Sequence, residues 1–202
     1  MNLLKLLIAT TNPGKLREIR SLLQEDNPPF ELLSLADLGI DTPYPETGKT
    51  FLDNAAGKSI FYSRLAPDIL TVGEDSGLTV NALGGRPGIH SARYAGPDAD
   101  NERNIEKLLK EMRPHVDRGA AFVAVLALSK NGRLIKSFRG TVEGILQKEK
   151  KGSGGFGYDP VFYYPPRKKT FAEMTAEEKN RISHRAQAFQ KLKRFLLESK
   201  LI

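Results

Sequence analysis

The feature that most constrains the fold is a pair of long strand-like segments joined by an Asn-Gly dipeptide. Ala120 to Ser129 is almost continuously apolar, and Leu134 to Ile145 follows after the turn sequence Lys130-Asn-Gly-Arg133. Asn-Gly between two such runs predicts a tight β-hairpin, because both turn residues must adopt positive φ. A long antiparallel pair of this kind predicts a mixed sheet and not a purely parallel one.

Strand and helix patterns alternate before this hairpin. Leu3 to Thr10 is a short apolar run, and the Asn12-Pro13 pair after it suits the N-cap and the first position of a helix. Phe30 to Leu35 predicts a second strand, and Thr50-Phe-Leu-Asp53 resembles a capping box that starts a helix running to about Leu65. The alternation indicates an α/β protein, with a mixed twisted sheet flanked by helices.

A third stretch, Ile69 to Val80, carries two adjacent carboxylates, Glu74 and Asp75, into a predicted turn at Ser76-Gly77. One interpretation is a β-hairpin with a polar turn. The other is a pair of carboxylates placed at the rim of a sheet, where hard oxygen ligands suit Mg²⁺. Taken alone, this stretch favours neither interpretation.

The remaining elements are helices and one glycine-rich segment. Asp98 to Met112 predicts a helix, Thr175-Ala-Glu-Glu178 is a capping box, and Ser183 is the predicted N-cap of a final helix. No repeat, low-complexity segment or linker interrupts the chain. We therefore expect residues 1–202 to form a single domain.

Composition restricts the class of protein further. The chain has 40% apolar residues, which is enough for a core, and it has no Cys, so any metal must be held by oxygen or histidine ligands. The first apolar run is too short for a secretory or membrane segment, and we expect a cytoplasmic protein without a membrane partner. The formal charge of +7 makes a polyanion a plausible partner without identifying it.

Two segments suit phosphate and base binding. Lys15 lies in the first turn of a predicted helix, where free N–H groups hold phosphate but where the helix dipole disfavours a cation. Ordinary capping explains Asn12 and Pro13, but it does not explain Lys15. In the segment Gly152 to Pro160, four glycines in six positions allow the backbone to approach a ligand closely, and Phe156 among them suits base stacking.

These segments and several others together resemble the inosine/xanthosine triphosphate pyrophosphatases of the Ham1/RdgB type, nearly from end to end. The motifs that carry the resemblance are Ala9-Thr-Thr-Asn-Pro-Gly-Lys15, Glu46-Thr-Gly-Lys-Thr-Phe51, Asn54-Ala-x-x-Lys58, Asp75-Ser-Gly77, Leu83-Gly-Gly-Arg-Pro-Gly88, Ser91-Ala-Arg-Tyr94, Gly154-Gly-Phe-Gly-Tyr-Asp-Pro160, Glu178-Lys179 and Ser183-His-Arg185. Thr11 stands where the family often has Gly, and Glu74 stands where a second Asp is common.

The resemblance implies a function and an architecture. It implies two lobes with a substrate cleft between them, and a homodimer. The implied reaction is Mg²⁺-dependent hydrolysis between the α- and β-phosphates of deaminated purine nucleotides (ITP, dITP and XTP), which releases the monophosphate and pyrophosphate. It also implies a purine nucleoside triphosphate as the partner, with no specific nucleic acid.

The same resemblance assigns roles to individual residues. Asp75 is implied as the catalytic base and as a metal ligand, with Glu46 as the second ligand. A carboxylate bound directly to a metal is a poor base, so these two roles of Asp75 are in tension. The implied substrate-binding residues are Thr10, Thr11, Asn12, Pro13, Gly14, Lys15, Lys58, Ser76, Phe156, Gly157, Tyr158, Asp159, Lys179, His184 and Arg185.

Two other functions compete with this hypothesis. A nucleic-acid-binding module would use the positive charge and the aromatic loop, but carboxylates such as Glu46 and Asp75 would repel phosphate without a metal. A nucleotide pyrophosphatase of the Maf type would act on modified pyrimidines with a similar scaffold.

Overall fold

The computed structural model of the protein describes residues 4–24, 30–97 and 100–199. Within these ranges seven strands form one sheet in the order β2-β1-β3-β4-β5-β6-β7. The strands are β1 (Leu4–Ala9), β2 (Phe30–Ser34), β3 (Leu70–Val80), β4 (Gly119–Lys130), β5 (Arg133–Leu146), β6 (Phe162–Tyr164) and β7 (Lys169–Thr170). The α-helices are α1 (Pro13–Gln24), α2 (Phe51–Leu65), α3 (Asn101–Glu111), α4 (Ala176–Asn180) and α5 (His184–Glu198).

The direction of the strands confirms a mixed sheet. β1 pairs in parallel with both β2 and β3, whereas β5 with β6 and β6 with β7 are antiparallel. Asn131 and Gly132 have φ of 47° and 72°, the left-handed conformation that an Asn-Gly hairpin turn requires. The predicted α/β class with a mixed sheet and flanking helices is therefore correct.

The chain divides into two compact units. The first consists of Met1–Asp75, Ala124–Gly140 and Arg185–Ile202, and the second consists of Ser76–Val123 and Thr141–His184. The division falls between consecutive residues at Asp75 and Ser76, and again at His184 and Arg185. The prediction of one domain with two lobes and no linker stays a prediction.

The first unit buries apolar side chains on both faces of β1. Leu6 and Ile8 pack in one cluster with residues of α1 and α5, such as Ile19 and Phe189. Leu7 packs in a separate cluster with residues of α2 and of the segment after β2. Because successive strand residues point to opposite faces, these two clusters place helices on both sides of the sheet.

The second unit has an aromatic core. Phe122 of β4 lies against Phe162 and Phe171, with ring centroids 4.5 Å and 5.6 Å away. Ring pairs at such distances add about 0.5–1.5 kcal/mol beyond the area that they bury. The short β6 strand and the 3-10 helix Phe171–Glu173 are thus held on β4 by aromatic packing, not by long ladders of hydrogen bonds.

The predicted turn at Ser76-Gly77 is wrong. β3 continues through both residues as one strand from Leu70 to Val80. A side chain at position 77 would collide with the Ser91 hydroxyl and with the Gly88 carbonyl oxygen. Gly77 is therefore required for a close approach of the 3-10 helix Gly88–Arg93, and not for a change of chain direction.

Helix starts agree with the capping patterns. The Thr50–Asp53 and Thr175–Glu178 capping boxes are both formed, with each side chain bonded to the other residue's backbone N–H. α3 begins at Asn101 after the N-cap Asp100, whereas the predicted start at Asp98 lies outside the described residues. Among the described helices, none is long and apolar enough to cross a membrane.

Candidate functional site

The N-terminus of α1 is built by two short-range hydrogen bonds. The Lys15 backbone N–H donates to Asn12 Oδ1 at 3.0 Å, which makes Asn12 the cap that its position predicts. The Asn12 backbone N–H in turn donates to Thr10 Oγ1 at 3.2 Å. Thr11 and Pro13 are exposed beside this cap, and Gly14 is buried. These bonds fix the turn at the N-terminal end of α1, the end of a helix at which anions can bind.

A buried carboxylate compensates the cation in this first turn. Lys15 Nζ lies 2.6 Å from Glu74 Oε2, and the Glu74 side chain is 0% exposed. Arg185, at the start of α5, donates from Nε and Nη2 to Glu74 Oε1 at 3.3 Å and 3.2 Å. Arg185 Nη1 also contacts Glu18 of α1. Lys15, Glu18, Glu74 and Arg185 form the cluster that we call the α1/α5 ion cluster.

The charges of this cluster determine how Glu74 ionises. Burial opposes ionisation of Glu74, but the attraction of Lys15 and Arg185 outweighs burial and lowers its pKa well below the ordinary value. The pKa of Arg185 is raised, because its two carboxylate partners outweigh the desolvation that disfavours its charge. Glu74 is thus an ionised counter-ion to two residues that the sequence predicts to bind substrate.

Asp75 faces different partners on α2. Its Oδ2 accepts a hydrogen bond from Asn54 Nδ2 at 3.0 Å, and its Oδ1 lies 4.0 Å from Lys58 Nζ. Lys58 Nζ also donates to Glu46 Oε1 at 2.7 Å. Asn54 and Lys58 are four residues apart, so α2 presents both on one side. Glu46, Asn54, Lys58 and Asp75 form the second group, which we call the α2 carboxylate cluster.

Asp75 differs from Glu74 in its electrostatics. Burial is the largest influence on Asp75 and raises its pKa above the ordinary value, although Lys58, Lys15 and the Asn54 hydrogen bond partly oppose the rise. A carboxylate with a raised pKa holds a proton more readily than an exposed one does. This is a property of catalytic bases, and it makes Asp75 a better candidate base than Glu74.

The α2 carboxylate cluster suits a divalent cation of the Mg²⁺ type. Glu46 and Asp75 both face the single positive charge of Lys58, so their oxygens converge on one region. Across residues 4–24, 30–97 and 100–199, no group of three or more His, Cys, Asp or Glu side chains is arranged to hold a metal. Two carboxylates are enough for Mg²⁺, which proteins usually bind through one or two carboxylates, with water and phosphate oxygens as the other ligands.

In the second unit, Asp159 organises the glycine-rich loop. Asp159 Oδ2 accepts hydrogen bonds from the Phe156 backbone N–H at 2.9 Å and from Lys179 Nζ at 2.6 Å. Lys179 Nζ also lies 5.1 Å from the centre of the Phe156 ring. Gly155 has φ of 70°, and a side chain there would collide with the Asp159 carboxylate. The loop therefore presents Phe156 in a defined position beside a buried ion pair.

His184 and Tyr158 are both buried in the second unit. The His184 ring stacks on Phe122 with centroids 4.8 Å apart and an interplanar angle of 10°. Tyr158 is 4% exposed, and its hydroxyl donates to the Ser91 carbonyl oxygen at 2.8 Å. Gly157 between the two loop aromatics has φ of 61°, a conformation that favours glycine.

The structure thus brings together several of the predicted residues. Lys15 meets Arg185 through Glu74, Lys58 meets Glu46 and Asp75, and Phe156 meets Asp159 and Lys179. Ser76 follows Asp75 on β3 and is partly buried. The roles assigned to these residues stay predictions.

Sequence reasoning missed two polar partners. Glu18 has no predicted role, although its position three residues after Lys15 places it on the same side of α1. Asn54 belongs to a motif without a predicted role, and its hydrogen bond to Asp75 makes it a member of the site. The sequence assigns no role to Glu74, and its burial between two cations distinguishes it from Asp75.

Comparison with known protein families and proteins gives consistent matches. Residues 6–195 match the Ham1 family. The dITP/XTP pyrophosphatase of Bacillus subtilis (strain 168) is 43% identical over 192 residues, covering 94% of this chain and 96% of the relative. The dITP/XTP pyrophosphatase of Geobacillus kaustophilus (strain HTA426) is 47% identical over 190 residues, covering 93% and 92%.

Solved structures support the same relationship. The Staphylococcus aureus Ham1 protein superposes with a TM-score of 0.84 at 40% identity, covering 96% of this chain and 98% of that one. A HAM1 protein from Coxiella burnetii gives a TM-score of 0.83 at 35% identity, covering 97% and 100%. The matches in sequence and in fold lead to one conclusion: this chain belongs to the Ham1 family.

Proposed function

We propose that this protein is a nucleoside triphosphate pyrophosphatase that hydrolyses the bond between the α- and β-phosphates of deaminated purine nucleotides, ITP, dITP and XTP. The products are the nucleoside monophosphate and pyrophosphate. The observation that carries the proposal is the α2 carboxylate cluster, in which a buried Asp75 with a raised pKa lies beside a lysine and a second carboxylate. The relatives named dITP/XTP pyrophosphatases support the choice of substrate.

Asp75 is the proposed base. Asn54 Nδ2 donates to Oδ2 and orients the carboxylate, which would accept a proton from the attacking water. Burial raises the pKa of Asp75 and so strengthens it as a base. General-base catalysis of this kind typically contributes about 10²–10⁴-fold to a rate.

Glu46 and Asp75 would hold Mg²⁺, which when bound neutralises charge on the phosphates. A carboxylate oxygen that is bound to the metal accepts protons poorly. We therefore propose that one oxygen of Asp75 binds the metal and that the other accepts the proton. Lys58 and Lys15 would neutralise further phosphate charge, together with the backbone N–H groups at the start of α1. In this proposal Thr10, Asn12 and Gly14 position the triphosphate.

The glycine-rich loop and the residues packed against it would recognise the base. Phe156 stacks on the purine, and Asp159, Lys179 and His184 provide polar groups around its edge. A site that donates hydrogen bonds to a 6-oxo group leaves its donors mismatched when adenine enters. Such a mismatch can discriminate by roughly 10⁴-fold or more. Arg185, which contacts Glu74 and Glu18, stays a predicted base contact.

Incubation of the protein with Mg²⁺ and separate samples of ITP, XTP, dITP, GTP and ATP tests this function. We expect pyrophosphate as the direct product, rapid turnover of ITP, dITP and XTP, and little turnover of ATP. EDTA should stop the reaction, and Asp75→Asn provides the inactive control. Orthophosphate as the direct product, or equal rates with ATP and ITP, would contradict the proposal.

The competing functions make different predictions. A Maf-type enzyme would prefer modified UTP or TTP over ITP, but the match to the Ham1 family does not favour it. A nucleic-acid-binding module would retain oligonucleotides at moderate salt and would turn over no triphosphate. The buried carboxylate Glu74 and the largely buried Asp75 have no role in phosphate-backbone binding.

We also propose that the protein works as a homodimer in the cytoplasm, where it would act on the nucleotide pool. Sedimentation equilibrium should then give twice the chain mass of 22.4 kDa. A mass of one chain across the micromolar range would contradict the dimer.

A further inference from the structure

The segment Ser91-Ala-Arg-Tyr94 has no role in the reaction as proposed above, yet Ser91 is bonded through both its backbone and its side chain. Its carbonyl oxygen accepts from the Tyr158 hydroxyl at 2.8 Å. Its own hydroxyl accepts from the Leu78 backbone N–H at 2.9 Å and donates to the Gly88 carbonyl oxygen at 2.6 Å. Ser91 is thus a single point at which three segments of the second unit meet.

Two of these segments carry predicted substrate contacts. Tyr158 lies in the glycine-rich loop between Phe156 and Asp159, and Leu78 lies two residues after Ser76 on β3. The absence of a side chain at Gly77 permits the Ser91 hydroxyl to approach β3 at this point. The glycine-rich loop and the end of β3 are therefore both hydrogen-bonded to Ser91.

The Ser91 segment is itself held in place by α3. Asn104 bridges it, because its Nδ2 donates to the Ala92 carbonyl oxygen at 3.1 Å and its Oδ1 accepts from the Ala95 backbone N–H at 2.8 Å. Lys107 Nζ donates to the Tyr94 carbonyl oxygen at 2.7 Å. Because these hydrogen bonds join the segment to α3, the position of Ser91 does not depend on the glycine-rich loop alone.

The Tyr158 hydroxyl is a donor that remains in place across the working pH range. Burial raises the pKa of Tyr158 above its ordinary value, so the group stays protonated. Both partners of the bond are buried, and an orphaned carbonyl would lose its hydrogen bond without gaining a full replacement from water.

We propose that Ser91 and Tyr158 are positioning residues that set the location of the base-stacking loop, with Tyr158 acting through Ser91 and not on the nucleotide. The predicted change in kinetics rests on the proposed function, whereas the predicted change in loop stability can be measured without nucleotide. If the hydrogen bond between Tyr158 and Ser91 is lost, Phe156 should be held less firmly. Recognition of the base should then weaken more than the chemical step.

The substitution Tyr158→Phe removes the hydroxyl and keeps the ring. Tyr62→Phe is the control, because Tyr62 is 3% exposed and its hydroxyl also donates to a backbone carbonyl, that of Thr42, at 3.0 Å. The Tyr62 hydroxyl accepts in addition from the Tyr44 backbone N–H at 3.2 Å, so Tyr62→Phe should lose at least as much stability as Tyr158→Phe. Ser91→Ala tests the hydrogen bonds of the Ser91 side chain, since it removes the hydroxyl bonded to Leu78 and Gly88 and keeps the carbonyl that accepts from Tyr158.

Amide hydrogen exchange without nucleotide measures directly how firmly the Tyr158–Ser91 hydrogen bond holds the loop. The backbone N–H groups of Gly154, Phe156 and Asp159 are hydrogen-bonded within the protein, so their exchange reports how firmly the loop is held. We expect Tyr158→Phe and Ser91→Ala to speed exchange of these amides by about 5-fold, the change expected from one hydrogen bond, and Tyr62→Phe to leave them unchanged. Unchanged exchange in Tyr158→Phe would overturn the inference.

Steady-state kinetics then separate positioning from mere stability. Tyr158→Phe should raise KM for ITP by roughly 5-fold, leave kcat within about twofold, and reduce the preference for ITP over ATP. Tyr62→Phe should leave that preference unchanged. A KM and a preference equal to those of the wild type would refute a positioning role even if exchange increased. Failure of the wild-type protein to hydrolyse ITP would instead refute the proposed function. The exchange measurement would still test whether the Tyr158–Ser91 hydrogen bond holds the loop in place.

Discussion

The two ion clusters around β3 begin at neighbouring residues and have opposite electrostatic character. In the α1/α5 ion cluster, Glu74 is fully buried but ionised, because two cations contact it. In the α2 carboxylate cluster, Asp75 is nearly as buried, yet Lys58 Nζ lies 4.0 Å from Asp75 Oδ1 and is closer to Glu46, at 2.7 Å. The difference shows that burial alone does not decide a carboxylate's role, since its partners determine whether it stabilises charge or accepts a proton.

This contrast assigns separate tasks to the two clusters. Glu74 is proposed to hold Lys15 and Arg185 in position, and its two oxygens are engaged by them. Asp75 is proposed to bind metal and to act on water. A substitution at Glu74 should therefore affect mainly stability and binding, whereas one at Asp75 should affect mainly the chemical step.

The largest expected effect is that of Asp75→Asn on turnover. We expect kcat for ITP to fall by roughly 10³-fold or more, at the upper end of general-base contributions, because an amide cannot accept the proton. The melting temperature should stay equal to that of the wild type or rise, since a buried carboxylate with a raised pKa destabilises the fold when ionised. Retained turnover in a folded Asp75→Asn protein would remove Asp75 from the mechanism.

Glu74→Gln should cost the most stability. Removing one partner of a buried ion pair leaves uncompensated charge on Lys15, and we expect a loss of about 3 kcal/mol in the free energy of unfolding. For a chain of this length that corresponds to a fall of about 6–12 °C in melting temperature. The stability control is Glu46→Gln, whose more exposed pair with Lys58 should contribute about 1 kcal/mol or less. Equal losses from the two variants would erase the distinction between the clusters.

Lys15→Ala should have a smaller effect, on binding. If Lys15 contacts phosphate equally in the ground and transition states, KM for ITP should rise by about 10-fold while kcat changes little. The exposed Lys5 of β1 offers a matched control, and Lys5→Ala should leave KM unchanged. An unchanged KM in Lys15→Ala would mean that this lysine serves only as a counter-ion to Glu74.

The smallest effect, and the most direct comparison, is the pH dependence of stability without metal. The folded-state pKa of Glu74 is lowered, so its contribution is present above the unfolded pKa of about 4.3 and is lost as pH falls further. The folded-state pKa of Asp75 is raised, so the fold gains relative stability as pH falls through that value.

Urea unfolding in EDTA at several pH values between about 7.5 and 3 measures both effects. Asp75→Asn should be more stable than the wild type at pH 7.5, and its advantage should shrink as pH is lowered. The deficit of Glu74→Gln should persist down to about pH 4.3 and shrink only below it. The same pH dependence in both variants would contradict the opposite pKa shifts.

Much of the local structure could be predicted from the sequence, because its causes are local. The Asn131-Gly132 turn and the capping boxes at Thr50 and Thr175 depend on residues within a few positions of one another. The turn predicted at Ser76-Gly77 was wrong for the opposite reason. Gly77 looked like turn punctuation, but its requirement comes from Ser91, a residue that is distant in sequence and close only in the folded protein.

The α/β class, the hairpin, the helix starts and the set of charged and glycine-rich motifs follow from local sequence patterns. The contacts of Glu74 with Arg185, 111 residues away, and of its neighbour Asp75 with Asn54 follow from the packing of distant segments. Side chains alternate across a strand, so adjacent carboxylates enter different surroundings, and packing decides which cations are there. Ionisation depends on those surroundings, and therefore two carboxylates that are adjacent in the sequence differ in their chemistry.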